Sequence, residues 1–407
     1  MAVGAVLAVL AGCGSGGQNG VTLNFWSYDE PGGTFRAAAQ NCTQDSEGRY
    51  RIVFHALAND ADTQRQALVR RLAAKDSSID IMSMDVVWTA EFAEAGWIKP
   101  WPQKWADQVK QGTLAGPLET ANYQGKLYGA PANSNTQLLW YRKDLVKGDP
   151  PQTWDDLIST AEGMTKGGKI AIQGAQYEGA TVWFNSVLES AGGHILDGPD
   201  TVGLAEAPTK QALGIISRFG KSKAAPPTLS SMKEDPARLY FESGAAAFEI
   251  NWPYIYASAN DSAPDLVKNI GWAPYPGVKD GTAGEKAPIG GFNWGVGAYT
   301  KHPEEAFEAA TCMRDERNQR AFALKGGLPP TLTALYDDAK FQEQYPFGKL
   351  IQQQLAKAAV RPKTPFYADV SRAVYVTVSP PSGVNPDSDV DVLRNRVSDA
   401  LKSKGLL

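Results

Sequence analysis

Four carboxylates in this chain, Asp85, Glu178, Glu234 and Glu249, have the type and setting to do chemistry. Two such acids at a fixed separation, one protonated and one ionised, could cleave a glycosidic bond. The same acids, all ionised, would instead accept hydrogen bonds from sugar hydroxyls. Eleven Trp and fifteen Tyr supply flat amphipathic rings that pack in a core or against the apolar face of a pyranose. Carboxylates with stacking rings therefore point to carbohydrate more strongly than to hydrolysis. Other chemistries lack their residues. There is no G-x-S-x-G, P-loop, dinucleotide fingerprint or H-E-x-x-H. His55, His194 and His302 are scattered, so neither a zinc site nor a cofactor is expected.

The 407 residues allow two or three domains, and 43% hydrophobic with 21% charged content is ordinary for a globular protein. A net charge of −4 without a Lys/Arg cluster gives no footprint for nucleic acid. Met1–Gly12 is apolar and too short to span a bilayer as a helix. Leu10-Ala11-Gly12-Cys13 resembles a bacterial lipobox, which implies a signal peptide over 1–12, lipidation of Cys13 and a Gly/Ser tether over 13–20. The positively charged leader is missing, so either the start is misplaced or the segment is a buried strand. The lipobox reading puts the protein outside the cytoplasmic membrane, anchored on its outer face. In an exported chain the remaining cysteines, Cys42 and Cys312, are expected to pair.

Elements that could position the acids follow in an α/β order. Val21–Ser27, Arg51–Ala56 and Ile79–Met84 read as strands, separated by an Ala-rich helix and by Asp62–Ala74 with Leu68 and Leu72 at core spacing. This βαβαβα succession argues a mostly parallel sheet, whose ligands bind beyond the carboxyl ends of strands. Asp85 stands at such an end, or else caps the helix that follows. Farther on, Thr153 begins a helix, Ala180–Gly193 is a buried one, and Ala237–Asn251 is a helix, a Gly turn and a strand running into Trp252 and Tyr254. Between the halves lies Leu127–Asp144. Its apolar runs flank Gly129-Ala130-Pro131 and the polar Asn133-Ser134-Asn135, so it is a crossing between two lobes or a loop in one large sheet.

Blocks spread over the chain, among them DIMSMDVVWTAEFAEAGW (80–97), NTQLLWYRKDL (135–145), FEINWPYIYAS (248–258), IGGFNW (289–294), NQRAFALKGGLP (318–329) and RPKTPFY (361–367), resemble the extracytoplasmic sugar-binding lipoproteins of ABC importers, nearest to the actinobacterial trehalose-binding type. The resemblance implies an α/β venus-flytrap fold with lobes over 21–131 plus 277–325 and 132–276 plus 326–407. It implies a monomer that binds a disaccharide and serves membrane permease subunits. Carried over, Gln64, Asp85, Asn135 and Glu234 would bind hydroxyls, Trp252 would stack on a glucose ring, and Gly291 and Phe292 would wall the site. Tyr254, Glu178, Asp29 and Glu30 would be neighbours. The family often carries an Arg shortly after Gly-Gly-Leu-Pro, where this chain has Pro330-Thr331-Leu332, and the acidic turn after the first strand is shifted. Both departures bear on which sugar is bound; trehalose leads and maltose follows.

Overall fold

A computed structural model describes residues 20–281 and 283–402; the expected signal peptide, Cys13 and the tether lie outside them. The first three strands are β1 (Val21–Tyr28), β2 (Tyr50–Leu57) and β3 (Ile81–Asp85). In β1 the alternation of the sequence becomes alternation of burial, with Leu23, Phe25 and Ser27 turned inward. Helices α1 (Thr34–Asp45) and α2 (Ala61–Ala73) make the crossovers, and Asp60 caps α2 by accepting from the Thr63 N–H at 3.0 Å. β1 pairs in parallel with both β2 and β3, as the βαβ order requires.

The next strands are β4 (Ala130–Thr136), β5 (Leu138–Arg142), β6 (Ile170–Ala171), β7 (Phe248–Asn251), β8 (Ile270–Ala273) and β9 (Ile289–Val296). The two larger sheets are β2-β1-β3-β9-β4 and β8-β5-β7-β6, one in each of two α/β lobes, and a two-stranded sheet pairs Asn122–Tyr123 with Lys126–Leu127. Each lobe has its own aromatic core. Phe35 meets Trp294 and Phe322 edge to face at 4.9 and 5.0 Å in the first, and Trp154 meets Trp183 and Tyr275 at 5.7 and 5.8 Å in the second. Cys42 at the end of α1 and Cys312, which closes helix α3 (Pro303–Cys312), form the expected disulfide and tie two helices of the first lobe.

The polar stretch Asn133-Ser134-Asn135 is strand, not a break. It pairs with β9 and belongs to the first sheet. The chain passes between sheets at Gln137, so the division expected at 131/132 cuts through β4 rather than between lobes. Tertiary pairing overrides the weak strand propensity of Asn and Ser. A second passage runs between β8 and β9. Buried amides join the two passages: Gln354 donates to the Gln137 carbonyl at 3.1 Å and accepts from the Tyr275 N–H at 2.6 Å, while Gln137 donates to Gln173 at 2.7 Å. Backbone that leaves a sheet inside the protein must find such partners.

Candidate functional site

β1 and β3 end at Tyr28 and Asp85, on the side of the first sheet that looks toward the second lobe. β7 ends there from the other direction and leads into Trp252. Between them is a cavity of about 250 Å³. Tyr28, Glu30, Asp60, Gln64, Asp85, Asn135 and Gly291-Phe292 line it from the first lobe, and Glu178, Glu234, Trp252 and Tyr254 from the second.

The register of the first sheet makes one side of this site. Asp85 lies opposite Phe292 in the β3–β9 pair, and Gly290 and Gly291 lie opposite Asn135 and Ser134 in the β9–β4 pair. Gly291 sits at φ +118°, and a Cβ there would come within 2.3 Å of the Asn133 carbonyl. At Gly290 a Cβ would meet the Trp252 ring at 2.9 Å, so only glycine lets the indole lie against the sheet. Phe292 stacks near Tyr28, ring centroids 6.0 Å apart.

The acids differ in their surroundings. Glu30 holds the N-terminus of α1 by accepting through Oε1 from the backbone N–H groups of Thr34 and Phe35 and from the Thr34 hydroxyl at 2.8 Å. Burial raises its pKa, and these hydrogen bonds work against the rise. Glu178 opens the long buried helix Glu178–Ser190 of the second lobe and accepts from Arg361 Nη1 at 2.5 Å and from the Tyr367 and Ser371 hydroxyls. Burial pushes its pKa up to about 7 against the pull of Arg361. The same guanidinium reaches Asp85 Oδ1 at 3.2 Å through Nη2, joining an acid of one lobe to an acid of the other. Glu234 begins the helix Glu234–Glu242, and burial raises its pKa. Tyr254 donates to Asp235 at 3.1 Å.

Of the residues expected at the site, Asp29 alone stays out of the cavity; it is exposed and paired with Arg36 at 2.7 Å. Glu249, one of the four starting acids, is fully buried and does not line the cavity either. The reading of the sequence missed Tyr28, Asp60, Lys233, Asp235 and Arg361, all of which line it. Arg361 stood in a recognisable block, and the missing arginine after Gly-Gly-Leu-Pro could have directed attention to it. Thr331, in that place, is buried and accepts from Arg314 at 3.3 Å instead.

Residues 27–320 match the family described as bacterial extracellular solute-binding protein. This chain belongs to that family. A probable ABC transporter-binding protein of Deinococcus radiodurans is 28% identical over 323 residues, 75% of this chain and 74% of the relative. The maltose-bound MalE3 of T. maritima shares the fold with a TM-score of 0.83 at 24% identity, covering 94% of this chain and 99% of that one. A solute binding protein of Thermotoga lettingae bound with alpha-D-tagatose does so with a TM-score of 0.83 at 20% identity, over 94% of this chain and 100% of the other. As in other members of the solute-binding family, the fold is two-lobed and mixed α/β, and the cavity described above lies between its lobes.

Proposed function

We propose that this solute-binding protein is the extracytoplasmic receptor of an ABC sugar importer and binds a glucosyl disaccharide, trehalose before maltose. It acts as a monomer, tethered by lipid on Cys13, and passes its sugar to membrane permease subunits. The related ABC transporter-binding protein and the sugar-bound relatives support the class. One observation carries the ligand chemistry. Two residues lining the cavity hold buried acceptor atoms that no described residue satisfies: Gln64 Oε1 and Asn135 Oδ1. Buried acceptors left unpaired are costly, so the site favours a ligand rich in hydroxyl donors. Trp252 beside them gives a sugar ring an apolar face to lie on.

A binder and not a hydrolase is the reading these contacts favour, because Asp85 and Glu178 share one guanidinium. Calorimetry with trehalose, maltose and glucose tests it. The expected result is one sugar per chain, disaccharides well ahead of glucose. Glucose released from trehalose or maltose by the purified protein would make it an enzyme. Absence of binding by every disaccharide would remove the sugar reading altogether.

A further inference from the structure

Behind the cavity wall of the second lobe, one buried side chain touches both ligand-facing elements without reaching the cavity itself. Asn251, the last residue of β7, is fully buried and is not among the lining residues. Its amide is fully used. Oδ1 accepts from the Trp252 N–H at 2.9 Å. Nδ2 donates to the Glu234 carbonyl at 3.1 Å and to Glu249 Oε1 at 2.7 Å. Its own carbonyl accepts from the Trp140 indole N–H at 2.9 Å. Trp252 lines the cavity as the residue after β7, and Glu234 lines it as the first residue of its helix; the sequence separates them by a Gly turn and a strand. Asn251 bridges that gap directly.

From this geometry we infer that Asn251, aimed by Glu249, is a positioning residue that fixes the stacking ring of Trp252 relative to the carboxylate of Glu234 and so sets disaccharide affinity. The inference rests on the sugar-binding reading for its affinity consequence, but the positioning itself is independent of the ligand. The polarity of the amide is what matters. Both hydrogens of Nδ2 have acceptors, and Oδ1 has a donor, so only an amide satisfies all three neighbours at this size. A carboxylate of the same shape could still accept from Trp252 but would present oxygen to the Glu234 carbonyl and to Glu249. Glu249 is buried, and among the described residues its carboxyl takes a hydrogen bond from Asn251 alone, leaving Oε2 without a partner. Its role is to take the second Nδ2 hydrogen and so help hold the amide in the orientation that the Trp252 N–H and the Glu234 carbonyl also select.

The experiment is 19F NMR of the full chain labelled with 5-fluorotryptophan, with the Trp252 resonance assigned by its loss in Trp252→Phe, together with calorimetry using trehalose. Asn251→Asp is expected to move the Trp252 resonance and to weaken trehalose binding at least tenfold. Glu249→Gln keeps an oxygen acceptor for Nδ2 and is expected to leave the resonance in place and the affinity within about threefold. Glu249→Met removes the acceptor and is expected to behave like Asn251→Asp, which keeps the inference testable should the Asp variant fail to fold. A Trp252 resonance and a Kd both unchanged in the Asp or Met variant overturn the inference. A Gln variant as impaired as the Met variant overturns the role given to Glu249. If the wild type binds neither trehalose nor maltose, the sugar reading falls while the resonances still decide whether Asn251 positions Trp252.

Discussion

Asn133 and Asn135 sit two apart on β4 and face their surroundings with opposite consequences. Asn133 Oδ1 accepts from the Phe292 N–H at 3.1 Å, where the β4–β9 register shifts and the ladder cannot supply a partner. Asn135 Oδ1 has no partner among the described residues, and Asn135 borders the cavity. Removing the first amide leaves a buried donor unpaired, which costs about 1–3 kcal/mol. Removing the second takes nothing from the protein that the protein had made. Asn135→Ala is therefore expected to weaken disaccharide binding roughly tenfold, about one neutral hydrogen bond, with the unliganded melting temperature nearly unchanged. Asn133→Ala should show the reverse order, a lower melting temperature first. Calorimetry and thermal unfolding of the two variants side by side check this, and equal stability losses would sink the distinction.

Among the elements, β7 carries a buried acid whose ionisation makes a measurable slope. Glu249 faces Asn251, Glu242 and Arg238, and burial pushes its pKa up to about 8 from an ordinary value near 4.5. A carboxyl whose folded pKa is raised binds its proton more tightly in the native state than in the unfolded chain. Its contribution is complete below about pH 4.5 and is lost as pH rises through about 8. Relative to Glu249→Gln, which has no proton to lose, the wild type should lose on the order of a few kcal/mol of unfolding free energy between pH 5 and 8. Glu178, raised to about 7, slopes the same way but is common to both proteins and cancels. Denaturant titrations at pH 5 and pH 8 check this; parallel pH profiles for the two proteins would contradict it. What the sequence showed of such elements followed from pattern strength. β1, the helix start at Thr153 and the strand end at Asp85 were legible because periodicity, capping and turn chemistry all agree there. β4 was not, because Asn and Ser in a strand are justified only by a partner strand more than a hundred residues away. Arg361 was not, because it stands in an irregular stretch where no period predicts which way a side chain turns.

For the whole molecule, polar contacts of unlike kind span the lobes beside the cavity, and the environments of three of them rank them. Lys233 meets Asp60 at 3.7 Å with both side chains partly in water, so the pair contributes well under about 1 kcal/mol. The carboxylate of Asp62, at the start of α2, takes a hydrogen bond from the backbone N–H of Glu178, and burial raises its pKa. Arg361 is different in kind. Its side chain is only 2% exposed, it serves Asp85 and Glu178 together, and it also donates to the Ile289 carbonyl at 3.3 Å. Arg361→Gln would leave two acids in a largely closed space without their cation, a loss of about 3–5 kcal/mol when one partner of a buried pair is removed. Part of that cost can be relieved by letting water in, which means parting the lobes. Hinge closure of a two-lobed binder is an equilibrium that a ligand shifts only through contacts made in the closed form. Small-angle scattering should therefore show the wild type and Lys233→Ala contracting on saturation with trehalose, while Arg361→Gln stays expanded with and without sugar. An Arg361→Gln protein that is as stable as wild type and contracts as fully would show that the lobes are held by the sugar and the hinge alone, with the shared guanidinium a bystander.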